Sequence, residues 1–136
     1  MDIKLINFQK FDDKRGNLVV AEYGKEIPFL VRRIYYIYGV PKSEKRGFHS
    51  HKRLEQVYIA IHGSCEVMLT SGKEKKNIVL DDPSVGLYIG HDTWREIYNF
   101  SKDAVLLVLA SEEYDEDDYI RKYDEFISSI EEKNDI

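Results

Sequence analysis

Short apolar and β-branched runs recur along the chain, each closed by a turn signal. Leu18-Val19-Val20-Ala21 follows the turn-like Asp12-Asp13-Lys14-Arg15-Gly16. Residues 31–38 read Val-Arg-Arg-Ile-Tyr-Tyr-Ile-Tyr and stop at Gly39 and Pro41. Residues 57–61 form an apolar run closed by Gly63, and residues 65–70 follow directly, which reads as a hairpin. Ser71-Gly72-Lys73 turns the chain again, and strands are expected at 78–80, 87–89, 94–100 and 105–110. Many short strands at spacings of roughly 8–12 residues predict an all-β sandwich or barrel. The last segment has a different period. Tyr119, Ile120, Tyr123, Phe126, Ile127 and Ile130 fall at helical spacing, behind the acids of 115–118. This predicts a helix over about 117–130, packed on the outside of the barrel. The closing Glu-Glu-Lys-Asn-Asp-Ile is expected to fray.

Composition narrows the class. The 136 residues fit a single domain. With 43% hydrophobic and 33% charged residues, the chain is globular rather than disordered. Ten tyrosines favour half-buried pleated surfaces. The net charge of −5 argues against a general nucleic-acid binder, although a few local arginines suffice for one small anionic ligand. No apolar run approaches the roughly 18–20 residues of a membrane span. Met1-Asp2-Ile3-Lys4 has no apolar signal region behind it. A cytoplasmic protein is expected, with neither nucleic acid nor membrane as partner. Cys65 is the only cysteine, which excludes an intramolecular disulfide and a cysteine-rich metal site.

Among four histidines, the pair in Gly47-Phe48-His49-Ser50-His51 is informative. On a strand, positions i and i+2 project from the same face, so both imidazoles can converge on one cavity. Glu55 and Gln56 follow, then Gly63. This resembles the first cupin motif, with Gln56 where a metal cupin carries Glu. The second cupin motif places a histidine four residues before an asparagine; here that residue is Arg95, before Asn99. A guanidinium has no lone pair to give a cation and would repel one. Two histidines with a neutral Gln are a poor ligand set, so no metal is expected. Histidines satisfied in a polar network are the structural alternative. Acid–base use suits them better, because imidazole titrates near neutrality.

Further stretches sharpen the resemblance. They are Arg32-Arg33-Ile34-Tyr35-Tyr36-Ile37, Arg46-Gly47-Phe48-His49-Ser50-His51-Lys52, Leu54-Glu55-Gln56-Val57, Asp82-Pro83-Ser84-Val85-Gly86-Leu87-Tyr88-Ile89-Gly90, Trp94-Arg95-Glu96 and Tyr114-Asp115-Glu116-Asp117-Asp118-Tyr119-Ile120-Arg121. Together they resemble the sugar-nucleotide 3,4-ketoisomerases, small metal-free cupins, from about residue 5 to 127. The resemblance implies a cupin-type jelly roll and a homodimer with exchanged N-terminal strands. It implies conversion of dTDP-4-keto-6-deoxy-D-glucose to a dTDP-3-keto-6-deoxyhexose through an enediol, without a cofactor. It also implies a neighbouring 3-aminotransferase and a route to surface-polysaccharide sugars.

Within that chemistry, His49 is expected as the base, and His51 can orient it, hold the substrate or relay a proton. The resemblance points to Tyr35 as the shuttle between O3 and O4. Arg33, on the same strand face, reaches towards the diphosphate, and Arg32 must face the other way. Arg46 ranks high for the diphosphate, Arg53 reads as a solvated face, and Gln56 is a further candidate for substrate binding. Trp94 either stacks on the base or sugar or sits in the core. Two positions track the product's C4 configuration in such enzymes. Galacto types carry Arg in the Arg-Gly turn and His in Trp-His-Glu; gluco types carry Tyr and Arg. Arg15 and Arg95 mix these patterns, which leaves gluco, galacto or both open. Rival readings are a dTDP-sugar 3,5-epimerase, whose His–Asp dyad has no evident place in this sequence, a metal-dependent cupin oxygenase, and a non-catalytic sugar-nucleotide-binding module.

Overall fold

The computed structural model describes residues 1–134. In chain order its strands are β1 (Ile3–Asn7), β2 (Gln9–Asp13), β3 (Gly16–Val20), β4 (Arg33–Tyr38), β5 (Arg46–His51), β6 (Gln56–His62), β7 (Cys65–Thr70), β8 (Lys75–Leu80), β9 (Val85–Ile89), β10 (Trp94–Tyr98), β11 (Val105–Ala110) and β12 (Tyr119–Ile120). One helix, α1 (Tyr123–Asn134), closes the described chain. Two five-stranded sheets, ordered β1-β9-β6-β11-β4 and β12-β5-β10-β7-β8, face each other. The expected all-β jelly roll with a C-terminal helix is the fold observed. No described helix is long and apolar enough to cross a membrane.

The core lies between the sheets. Tyr58, Val67, Leu69, Leu87, Ile89, Ile97, Leu106 and Val108 interdigitate there, all buried. A second cluster covers the other face of the first sheet, where Ile6, Phe8, Ile27 and Phe29 lie on Val57, Ile59 and Leu109. Strand β6 is therefore apolar on both faces, which is why residues 57–61 read as an unbroken run rather than an alternation.

The hairpin expected at β6 and β7 does not form. Strand β6 pairs with β9 and β11, whereas β7 pairs with β10 and β8. The chain changes sheets at Gly63. That residue has φ +67, and a Cβ there would meet the Ser101 side chain and lie 2.8 Å from the Ala104 Cα. The continuity of the two runs marked a sheet crossing, not a pairing.

The expected helix boundary also moves. Residues 116–118 form a short 3-10 turn and Tyr119–Ile120 pair with His51 and Ser50, so the helix starts at Tyr123 instead of 117. The turn is capped by Asp115, whose side chain accepts the Asp117 N–H at 3.0 Å. Residues 131–134, expected to fray, continue the helix, and Asp135 and Ile136 lie outside the described residues. Strand β10 ends at Tyr98, before Asn99 at φ +52. Strands β2 and β3 pair only with each other, with every residue of β2 exposed and Val19 of β3 packed on the second cluster.

Candidate active site

Strict alternation along β4 sends Arg33, Tyr35 and Ile37 inward and leaves Ile34, Tyr36 and Tyr38 outside. The inward side chains line a cavity of about 330 Å³, which Arg46, Gly47, His49, Tyr58, Ile97, Tyr119 and Arg121 complete. Strand β5 carries a bulge at this point. The pairing with β10 shifts between Arg95↔His49 and Glu96↔Gly47, leaving Phe48 as the extra residue. Gly47 has φ +93, and a Cβ on it would lie 2.9 Å from the Arg95 carbonyl oxygen. Phe48 itself has φ +57, a rare backbone state for a bulky residue. Such strain recurs where a strand must re-aim a functional side chain, and here the next residue is His49.

Both histidine tautomers follow from their partners. His49 Nδ1 lies 3.0 Å from the Gly47 carbonyl oxygen, which can only accept, so Nδ1 carries the proton. His51 Nδ1 lies 3.0 Å from Asp118 Oδ2 and is likewise the donor. Each ring therefore keeps its lone pair on Nε2, and neither Nε2 has a hydrogen-bond partner among the described residues. The rings meet edge to face at 4.9 Å, with the Tyr119 ring 5.1 Å from His49 and 4.4 Å from His51. Asp118 is held in turn by the backbone N–H of Arg53 at 2.8 Å and of Leu54 at 3.3 Å. The His–Asp pair that had no evident place in the sequence is thus present, 67 residues apart.

Charge around the pair is positive. Burial, then the Arg95 charge, pushes His49 down to about 3. Burial and Arg95 also lower His51. The Asp118 carboxylate pulls the other way, but its charge is shared among two backbone donors and the Arg53 guanidinium at 3.8 Å. Both rings are therefore neutral near pH 7. Burial raises Tyr35, opposed by the Arg95 charge and a hydrogen bond from Gln56. At the mouth, Arg33, Arg46 and Arg121 share one cavity. Arg121 is gripped by Glu116 through Nε at 2.6 Å and Nη2 at 2.9 Å, and lies over the Tyr119 ring.

Of the residues expected to form a site, Arg33, Tyr35, Arg46 and His49 line the cavity. His51 is only 1% exposed and sits behind His49. Gln56 and Arg95, expected to touch substrate, are instead fully buried beneath the cavity. Arg95 Nη1 donates to Gln56 Oε1 at 2.5 Å and Tyr58 OH at 3.3 Å, and Nη2 donates to the Thr93 carbonyl at 3.1 Å. The Gln56 amide N–H donates to Tyr35 OH at 3.0 Å. Trp94 is corrected to a core residue: it packs on Tyr123 and Phe126, and its indole N–H donates to Glu96 at 3.1 Å. Arg15 is exposed at the hairpin turn, paired with Asp13 at 2.7 Å, and does not reach this chain's own cavity. Arg32 faces away from Arg33, as expected, towards Arg53 and the acids of 112–115. Asp118, Tyr119, Arg121 and Tyr58 were missed as site residues; the first three fell within the expected helix and Tyr58 within the apolar run of 57–61. Among the described residues no three His, Cys, Asp or Glu side chains gather as metal ligands would.

Comparison with known proteins gives a family and several relatives. The family described as FdtA, WxcM-like, C-terminal, matches residues 1–131. The TDP-4-oxo-6-deoxy-alpha-D-glucose-3,4-oxoisomerase of Aneurinibacillus thermoaerophilus is 52% identical over 126 residues, 93% of this chain and 91% of that protein. A 3,4-ketoisomerase from Helicobacter canadensis superposes with a TM-score of 0.94 at 51% identity, covering 96% of this chain and 98% of the other. The sugar 3,4-ketoisomerase QdtA from Thermoanaerobacterium thermosaccharolyticum, solved with TDP, gives 0.94 at 50% identity with 96% of both chains covered. The 4-keto-6-deoxy sugar epimerase NovW of Streptomyces spheroides shares the fold alone, with a TM-score of 0.74 at 17% identity over 86% of this chain and 67% of that one.

Two tests follow from the site. A histidine held near 3 binds no proton in the fold while the unfolded chain, at its ordinary 6.5, does. Stability therefore rises with pH between those values and falls as acid is added. The melting temperature is expected to be lower at pH 5 than at pH 7, with the gap narrowed in His49→Gln. Asp118→Asn presents an amide N–H₂ to His51 Nδ1 and moves the ring proton to Nε2. The ¹⁵N shifts of the imidazole nitrogens are expected to exchange accordingly.

Proposed function

We infer the function from one premise: the chain belongs to the FdtA family, whose pattern spans residues 1–131. The protein is a sugar-nucleotide 3,4-ketoisomerase that converts dTDP-4-keto-6-deoxy-D-glucose to a dTDP-3-keto-6-deoxyhexose. The observation that carries the site reading is His49, its Nε2 free of any hydrogen-bond partner among the described residues, lining one cavity with Tyr35 and the arginines Arg33, Arg46 and Arg121. A 3,5-epimerase, the nearest rival, shares the His–Asp pair but is otherwise supported by a fold-level likeness alone.

The C4 ketone acidifies the C3 hydrogen, and His49 Nε2 takes that proton. Tyr35 gives its proton to O4 as the enediol forms. It then recovers one from O3 as the carbonyl appears at C3, and the proton on His49 goes to C4. Protons balance and no electrons leave the sugar, so the reaction needs no external oxidant. His51, held by Asp118, braces His49 and keeps a second lone pair in reserve for relay. Arg33, Arg46 and Arg121 pair with the diphosphate, for which planar guanidinium forks are suited. Burial is the main cause of the low His49 value, and that dianion offsets the second cause, the positive charge nearby, which strengthens His49 as a base. The 3-keto product is ready for amination, so a separate 3-aminotransferase is its natural consumer.

The assembly is read as a homodimer. The β2–β3 hairpin leaves Phe11 and Leu18 exposed, and β4, an edge strand, presents Ile34, Tyr36 and Tyr38 bare. An exposed edge and an uncovered apolar face need a partner, and two copies exchanging hairpins satisfy each other. The exchange carries Arg15 towards the partner's cavity.

Incubation with dTDP-4-keto-6-deoxyglucose in D₂O, with a 3-aminotransferase as trap, tests the activity by NMR. A 3-amino sugar whose H4 couplings report gluco, galacto or both is expected, and His49→Gln is expected to abolish it. Deuterium at C3 and C5 with the ketone still at C4 would make the protein an epimerase instead. Light scattering is expected to give the dimer mass for the parent and the monomer mass for Leu18→Glu; a monomeric parent would refute the exchange.

A further inference from the structure

Arg95 is fully buried, yet none of its polar contacts among the described residues is a carboxylate. Its partners are an amide oxygen, a phenol and a backbone carbonyl, and Nε has none. A buried cation without a counter-ion is costly to keep. Its hydrogen bonds fix one neighbour in particular, Gln56. Arginine cannot accept a hydrogen bond, so the Gln56 atom facing it must be the carbonyl oxygen. The amide N–H₂ is thereby turned to Tyr35 and donates to its oxygen at 3.0 Å. With that lone pair taken, the Tyr35 O–H is turned away from Gln56, and Tyr35 is one of the residues that line the cavity.

We propose that Gln56 and Arg95 are positioning residues that fix Tyr35 as a proton donor at rest and hold its oxygen when it has given the proton up. Neither touches substrate. Arg95 sets the amide, the amide sets the hydroxyl, and the buried positive charge favours the phenolate that exists between proton delivery to O4 and recovery from O3. The chain of contacts crosses from β10 through β6 to β4 and so joins the two sheets. This inference rests on the reading of Tyr35 as the shuttle.

Gln56→Glu is the discriminating variant. It keeps the shape, gives Arg95 a carboxylate partner, and removes the N–H that faces Tyr35; the Tyr35 proton then turns to the new carboxylate and away from the cavity. A fall in kcat of about 100-fold is expected. The melting temperature is expected at or above the parent's, and KM within about threefold of it, since the lost interaction acts on the transition state. The double variant with Tyr35→Phe is expected to be no slower than Tyr35→Phe alone. Gln56→Leu with Arg95→Met replaces both partners by apolar groups, guards against a folding failure of the first variant, and is expected to show the same loss in kcat. Either set of Gln56 variants turning over within about threefold of the parent, or a double variant whose losses multiply, would overturn the proposal while leaving Tyr35 in place. A Tyr35→Phe enzyme at the parental rate would overturn the shuttle itself, and this inference with it.

Discussion

Arg95 bridges the two sheets at the floor of the cavity, and the placement of the other site groups refers back to it. Its guanidinium lies under Gln56 and Tyr58 of β6, while its backbone carbonyl fixes how closely β5 can approach at Gly47. The same charge depresses both histidines and opposes the effect of burial on Tyr35. A neutral residue there would leave the amide of Gln56 free to rotate and would remove a charge that adds to burial in lowering both histidines. The arrangement is costly in isolation, which is consistent with a charge kept for what passes above it rather than for stability.

The C-terminal segment supplies the other constraint. Asp118 is buried because it collects two backbone N–H groups and the His51 imidazole at once. Anchored there, the chain can only continue as a strand beside β5, which lays Tyr119 across both histidine rings and brings Arg121 to the cavity mouth. Only then does α1 begin, seated on Trp94 through Tyr123 and Phe126. Helix docking, histidine tautomer and cavity wall are thus consequences of one buried carboxylate. A His–Asp pair also belongs to the rival epimerase reading, so it does not separate the two chemistries. In the proposed reading, carbonyl migration is favoured by Tyr35, which shares the cavity with His49 and whose hydroxyl accepts from an amide that a cation holds still.

The local patterns in the sequence determined a great deal. The period-two alternation of residues 33–38 places Arg33 and Tyr35 on one face and Arg32 on the other, because a strand allows no alternative. The spacing of His49 and His51 likewise puts both rings on one side, and the family motifs assign them to acid–base work. The all-β class follows from short apolar runs between turns. Strands β1 and β2 were not legible, because Gln-Lys-Phe-Asp-Asp carries a single apolar residue and its partner lies outside the sandwich.

Tertiary structure decided the rest. Residues 117–122 have helical spacing, but three donors for Asp118 and a free edge on β5 outcompete the helix there. The run at 57–61 is adjacent to 65–70 in sequence, yet the two belong to different sheets, since Gly63 permits a crossing that no periodicity records. Depth was equally invisible: Gln56, Arg95 and Trp94 carry the residue types of a binding site, but only the packing of β6 against β10, and of α1 against Trp94, shows that they lie beneath its surface. The sequence sets which way a side chain points along its own strand. How far that side chain lies from the cavity, and what it meets across the gap between sheets, depends on residues tens of positions away.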